Sequence, residues 1–331
     1  MNRDLALLDA SLARAREGLR VLGEIARFIL LNKEVWLALK AIRHGLIAWE
    51  RAVGGARLIA ARVGKDPGEG EAEVGSEYQR RTIYELGRAN FNRVTETMRV
   101  LEEFSKLYAP KYALVLEANR YKLYALERML LSATPHFWFQ QYAAEGFIYS
   151  ISSDVPELMY LINRGARVVQ LRDKDSLKID FFEKAAVLCR FVAEYNKTAS
   201  AKVLVILNDH VDIAARLPVA GVHLGQSDYA VNSARKTLGS NKLIGRSNGT
   251  LEEIKSSVEM GADYVSLGPV FATPNKKDRA LVGLEALKKA ALATELPLIA
   301  IGGINSKNIH QVYQADVQNC AVIRAAREFF K

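Results

Sequence analysis

Apolar residues recur at helical spacing along the first 131 residues of the chain. Leu5, Leu8, Leu12, Leu19, Leu22 and Ile25 form one stripe, and Val35, Leu39, Ile42 and Leu46 form another. This is the three-to-four-residue recurrence of helices that bury one face, and no alternating strand pattern interrupts it, so the spacing predicts an all-helical domain over 1–135. The one long break, residues 63–75, is too rich in Gly and Pro for a helix and reads as a functional loop, with a linker as the alternative. Beyond Thr134-Pro135 the period changes. Short β-branched runs follow at Phe147 to Ser152, Ala166 to Leu171, Val203 to Asn208, Gly221 to Leu224, Leu243 to Ser247, Tyr264 to Val270, Leu296 to Ile301 and Cys320 to Ile323. Segments with helical period separate most of them, for example residues 180–195, 251–260 and 283–293. Eight strands alternating with helices predict an α/β domain over 136–331, a compact (β/α)8 TIM barrel, with a doubly wound sheet as the alternative.

Composition narrows the class without changing this division. With 331 residues, 25% of them charged, 50% hydrophobic and only 8 proline, the chain is neither disordered nor low in complexity. Its longest apolar runs, such as Val203 to Leu207, are far short of the roughly 18–20 residues that cross a bilayer. The N-terminus enters a polar helix pattern with no leader-like apolar core, so a cytoplasmic location is expected. Cys189 and Cys320 lie in apolar patterns without metal-site spacing and are expected to be buried thiols.

The net charge of +9 raises the question of an anionic partner. Residues 1–135 carry 22 basic and 17 acidic side chains and the remainder 24 and 20, so the excess is spread over the chain. The aromatics are not interleaved with the basic residues as stacking platforms, which argues against nucleic acid and for phosphorylated small molecules. In the first 135 residues Arg outnumbers Lys by 16 to 6, and the planar guanidinium matches phosphate oxygens two at a time.

The helical half contains an internal repeat. An offset of 79 superposes Arg14, Glu17, Arg20, Val21, Leu22 and Glu24 on Arg93, Glu96, Arg99, Val100, Leu101 and Glu103. At ~100° per residue each set of charges falls in one sector of a helix. With Arg16, Arg43, His44, Arg62 and Asp66 the stripes make a candidate phosphate or nucleotide site, in which carboxylates hold Mg²⁺ or orient the Arg side chains; ordinary ion pairing is the alternative. The segments Ala13 to Leu22, Lys40 to His44, Ala60 to Gly68 and Asn90 to Glu103 resemble the small helical domain often fused ahead of thiamine-phosphate synthase, related to a hydroxymethylpyrimidine-phosphate kinase. That resemblance implies ATP as substrate. A non-catalytic module for oligomerisation or regulation, with a homo-oligomer as partner state, is the alternative.

In a (β/α)8 barrel the chemistry sits at the C-terminal ends of the strands. Strand two ends in Gln170-Leu-Arg172-Asp-Lys174, strand three in Asn208-Asp209, strand four in Gly221-Val-His-Leu-Gly-Gln226-Ser-Asp228 and strand five in Ser247. Strand six leads through Gly268 to Thr273 and Lys276, and strand seven ends in Gly302-Gly303. Two carboxylates, Asp209 and Asp228, suit a Mg²⁺ that keeps several waters and touches substrate phosphate. Arg172, Lys174 and Lys276 would surround the same anion, and Gly302-Gly303 would present backbone N–H groups to a second phosphate. These motifs resemble thiamine-phosphate synthase over about residues 145 to 325. The resemblance implies that Gln170 and Ser247 contact a pyrimidine, Arg172, Lys174, Asn208 and Lys276 a diphosphate, and Asp209 and Asp228 the metal. It places Thr273 and Gly303 at a thiazole phosphate and leaves His223 either at the site or in the core. The chain departs from the family at Asn275 and at Ile323-Arg324, where a Val-Ser pair is usual, so Arg324 is a further candidate for that phosphate. A thiazole tautomerase is the alternative for the barrel; the complete set Arg172, Lys174, Asp209, Asp228 and Lys276 argues against it.

Overall fold

The computed structural model describes residues 3–61, 80–273 and 280–330, and the chain divides into two compact units, Met1–Thr134 and Pro135–Lys331. The first contains α1 (Arg3–Glu24), which runs into a π-helical turn (Ile25–Ile29), then α2 (Lys33–Val53), α3 (Gly55–Ala61), α4 (Ile83–Tyr108) and α5 (Pro110–Leu131). Local chemistry sets the ends. Asn32 and Thr82 accept the backbone N–H of Val35 and Glu85 at 3.1 Å each, capping α2 and α4. Gly54, at φ +96°, ends α2 in the left-handed region. The two copies of the repeat, α1 and α4, pack against each other at Gly18, where an added Cβ would lie 2.5 Å from Val94 Cγ2. The stripes read from the sequence form the core, with Leu8, Leu19, Leu22, Leu39 and Leu46 almost wholly buried. Among them Trp49 Nε1 donates to Ser105 Oγ at 2.6 Å.

The second unit begins with α6 (Pro135–Glu145) and alternates thereafter: β1 (Ile148–Ser152), α7 (Val155–Asn163), β2 (Val168–Leu171), α8 (Lys178–Thr198), β3 (Leu204–Asn208), α9 (Val211–Arg216) and β4 (Gly221–Leu224). It continues with α10 (Val231–Leu238), β5 (Leu243–Asn248), α11 (Leu251–Glu259), β6 (Tyr264–Leu267), α12 (Gly283–Ala293), β7 (Leu298–Ile301), α13 (Ile309–Gln314), β8 (Asn319–Val322) and α14 (Ala326–Phe329). The strands are parallel and close in sequence order, β1 meeting β8 with Tyr149 opposite Ala321, so the sheet is a TIM barrel and not doubly wound. β6 is shorter than its apolar run, because Pro269 has no N–H for the ladder.

Alternation sorts every strand. Val169, Leu171, Val205, Leu207, Val265 and Leu267 pack outward against the helices, while Val168, Leu204, Ile206, Leu243, Tyr264 and Ile299 face the interior. The N-terminal end of the barrel is filled by α6, which sequence periodicity did not reveal. Phe139 and Tyr142 join Phe147, Tyr149 and Tyr264 there, the Phe139 and Tyr264 ring centroids lying 4.6 Å apart. The plug closes that end with aromatic side chains. Cys189 and Cys320 are buried free thiols, and among the described residues no helix is long and apolar enough to cross a membrane.

Candidate active site

At the C-terminal end of the barrel a cavity of about 190 Å³ collects Gln170, Arg172, Lys174, Asn208, Asp209, His223, Asp228 and Ser247. Simple alternation would send Asp209 away from a cavity that Asn208 lines. Its backbone has φ +61°, and this left-handed turn after β3, which Asp tolerates better than most residues, brings both side chains to the same space. The Asp209 carboxylate lies 3.3 Å from Lys174 Nζ. Asp228 accepts the Gly225 N–H at 2.7 Å. Burial and the adjacent Asp228 carboxylate push Asp209 above the usual carboxylate range. Burial also works against the Asp228 charge, yet the hydrogen bond with Asp209, the Gly225 N–H and the cations Lys174 and Arg246 hold it below its usual value.

Two half-buried carboxylates in contact leave a concentration of negative charge that a divalent cation would neutralise. Among the described residues no three His, Cys, Asp or Glu side chains converge on a metal-sized space. A zinc-type cage is therefore not built by these residues, whereas two carboxylates completed by water and phosphate oxygens fit Mg²⁺.

The loop carrying Arg172 and Lys174 is fixed by the residue between them. Asp173 accepts from Lys184 Nζ and Ser176 Oγ at 2.5 Å each and from two backbone N–H groups. Lys184 chiefly, then Ser176, hold its carboxyl down to about 2, against 3.8 ordinarily. A depressed folded pKa stabilises the protein above the unfolded value and loses that contribution as pH falls through the folded one. The stability difference between wild type and Asp173→Asn, read from urea midpoints, should be full above about pH 4 and shrink toward pH 2. A difference that does not change with pH would show that the lock contributes nothing through its charge.

A second cavity, of about 320 Å³, is lined by Thr273, Gly302, Gly303, Arg324 and Glu328. Ile301, Ala321 and Ile323 line both cavities, so the two adjoin. Gly302 and Gly303, at φ +104° and +68°, give the loop after β7 a path open to few other residues. Glu328 accepts from Ser306 N–H and Oγ at 2.9 and 2.6 Å, tying α14 to the same loop.

In the helical unit, Arg16, Glu17 and Arg20 of α1 and Arg43, His44 and Glu50 of α2 line an open cavity of about 540 Å³, with Arg16 paired to Glu50 at 2.6 Å. Arg14, Arg93, Glu96 and Arg99 do not line it. The second stripe therefore has no part in this cavity. Arg99 pairs along α4 with Glu102 and Glu103 at 2.6 and 2.9 Å, because charges three and four residues apart on a helix are neighbours. Arg62, Asp66 and Lys276 lie outside the described residues. Sequence reasoning missed Glu50, though its position seven residues after Arg43 puts it on the same helix face, and it missed Tyr149 and Ser266, which line the first barrel cavity.

A family model for thiamine monophosphate synthase matches residues 151–326, and a model of the ThiD2 family matches residues 6–129. The thiamine-phosphate synthase of Nostoc punctiforme is 38% identical over 327 residues, which cover 96% of this chain and 88% of that protein. That of Synechocystis sp. is 36% identical over 326 residues, 97% of this chain and 91% of its own. The chain belongs to the thiamine-phosphate synthase family. Among solved structures, a thiamine phosphate pyrophosphorylase from Pyrococcus furiosus is 29% identical with a TM-score of 0.50, over 56% of this chain and 94% of that one. As a thiamine-phosphate synthase family member the chain is a transferase of thiamine biosynthesis. Its barrel mouth, with adjoining cavities, is where the family's chemistry is expected.

Proposed function

We propose that the barrel couples hydroxymethylpyrimidine diphosphate to hydroxyethylthiazole phosphate, releasing pyrophosphate, and that the helical unit phosphorylates the pyrimidine monophosphate with ATP. The observation that carries the first part is the pair of adjoining cavities, one with cations and carboxylates and the other with a glycine loop and Arg324. In this reading Arg172, Lys174 and Asn208 bind the diphosphate, and Gln170 and Ser247 orient the pyrimidine. Asp209 and Asp228 hold Mg²⁺, whose charge when bound stabilises the departing pyrophosphate. Thr273, the Gly303 N–H and Arg324 hold the thiazole phosphate, so that the ring nitrogen meets the carbon from which pyrophosphate leaves. Arg172 and Lys174 offset the charge that grows on the leaving oxygen as the carbon–oxygen bond breaks.

The cationic cavity of Arg16, Arg20 and Arg43 supports the second part. The full chain, given ATP, Mg²⁺ and the pyrimidine monophosphate, should form the diphosphate. Arg43→Ala should slow this about thirtyfold, the loss of roughly 2 kcal/mol expected for one charge-assisted phosphate contact. Pyrophosphate release from supplied diphosphate should be unchanged in the same variant. No ATP-dependent product from wild type would leave the helical unit as a non-catalytic module.

A further inference from the structure

The wall of the first barrel cavity continues downward as a buried chain of hydrogen bonds. Gln170 Nε2 donates to the Tyr149 hydroxyl at 2.8 Å, and the Tyr149 and Tyr264 hydroxyls lie 3.1 Å apart. Tyr264 Oη is 3.2 Å from His223 Nδ1, and His223 Nε2 is 2.8 Å from Ser247 Oγ. Gln170, Tyr149, Tyr264 and His223 are all buried. Burial raises both phenols above their ordinary range, so each keeps its single proton.

With Gln170 presenting Nε2 to Tyr149, counting those protons gives the chain a direction. The Tyr149 oxygen accepts from Gln170, so its own O–H has the Tyr264 oxygen as its acceptor among the described residues. Tyr264 then donates to His223 Nδ1, and His223, protonated on Nε2, donates to Ser247 Oγ. Reversing the Tyr149–Tyr264 or the Tyr264–His223 link alone leaves a buried hydroxyl without an acceptor, and a neutral imidazole that accepts at Nδ1 carries its proton on Nε2. The two ends therefore show opposite character to the cavity: Gln170 Oε1 is an acceptor and the Ser247 hydroxyl a donor. Gly245 belongs to the same arrangement, because a Cβ on that residue of β5 would lie 2.0 Å from Tyr264 Cζ and 2.4 Å from its hydroxyl oxygen.

We propose that Tyr149, Tyr264 and His223 are positioning residues that couple Gln170 and Ser247 into one recognition unit for an amidine-like edge, a ring nitrogen beside an exocyclic amino group. The inference rests on the reading of this cavity as the pyrimidine diphosphate site. Gln170 takes an amino N–H and Ser247 donates to the adjacent ring nitrogen. Neither end holds its orientation if a link between them is removed.

Tyr264→Phe keeps the ring and removes one link. It should raise KM for the pyrimidine diphosphate about tenfold and leave KM for the thiazole phosphate unchanged, whereas a general loosening of the barrel would raise both. Ser247→Ala should do the same, and the double variant should be no worse than about twofold beyond either single one, because both break the same chain. An additive loss of about a hundredfold, or an unmoved KM in Tyr264→Phe, would overturn the coupling. Nitrogen-15 spectra of the labelled full chain, with the His223 signals identified by their loss in His223→Gln, should show the Nε2–H form; the Nδ1–H form overturns the stated direction. A wild-type chain that releases no pyrophosphate overturns the functional reading itself. Normal wild-type turnover with an unaffected Tyr264→Phe overturns only the coupling.

Discussion

Asp209→Asn should lower the rate of pyrophosphate release by about a thousandfold at saturating substrates, roughly 4 kcal/mol of lost transition-state stabilisation. Asn is the informative replacement because Asp209 has φ +61°, and Asn, unlike Ala, occupies that backbone region with little strain. The carboxamide keeps the volume and the turn, so the loss reports on charge. Two terms are removed together: the anionic ligand for the cation, and the counter-charge 3.3 Å from Lys174. The Mg²⁺ concentration for half-maximal rate should rise as well, and Asp228→Asn should shift it in the same direction, since the two carboxylates act on one ion. Steady-state release of pyrophosphate across a Mg²⁺ titration measures both. Activity within tenfold of wild type at ordinary Mg²⁺ would remove Asp209 from the machinery.

How much of this site was visible in the sequence depended on whether one strand or several elements had to be known. Ala166 to Leu171, Val203 to Asn208 and Leu296 to Ile301 announced themselves as strands because they are short apolar runs bounded by helical periods. Gln170, Arg172 and Lys174 could be placed on one side by alternation, and the cavity lining agrees. The position of Asp209 beside Asn208 needs the left-handed turn, which no period encodes. The plug α6 escaped because Phe137, Trp138 and Phe139 are consecutive, so its apolar residues do not trace a single helical stripe. Tyr149 and Tyr264 looked like ordinary core aromatics; their hydroxyls matter only because closure brings strands one and six within 3.1 Å of each other at those atoms. In the helical unit, periodicity found both charged stripes but could not say that the face of α1 would meet Arg43 and Glu50 of α2 while Arg99 of α4 paired along its own helix. Pairing between elements is a tertiary fact, and the number of polar residues on a face does not determine it.

Gly302→Ala should weaken thiazole phosphate binding about a hundredfold and lower the unfolding free energy by about 3 kcal/mol. Two independent costs meet at this residue. Its φ of +104° lies where a side chain is strained in any surroundings. An added Cβ would also lie 2.6 Å from Pro269 Cα and 3.2 Å from Val270 N, and backbone atoms of a neighbouring loop cannot swing aside as a long side chain could. That loop is bonded to the one Gly302 belongs to, through Val270 N–H to Ile301 O at 2.9 Å and Phe271 N–H to Gly302 O at 3.0 Å. Displacing either therefore moves both, and with them Thr273 and Gly303 in the same cavity. The first cavity contacts neither Gly302 nor Pro269, so KM for the pyrimidine diphosphate should change less than threefold while KM for the thiazole phosphate rises. Equal rises in both constants would mean that the damage spreads through the barrel and that the paired loops do not act as a separate phosphate clamp.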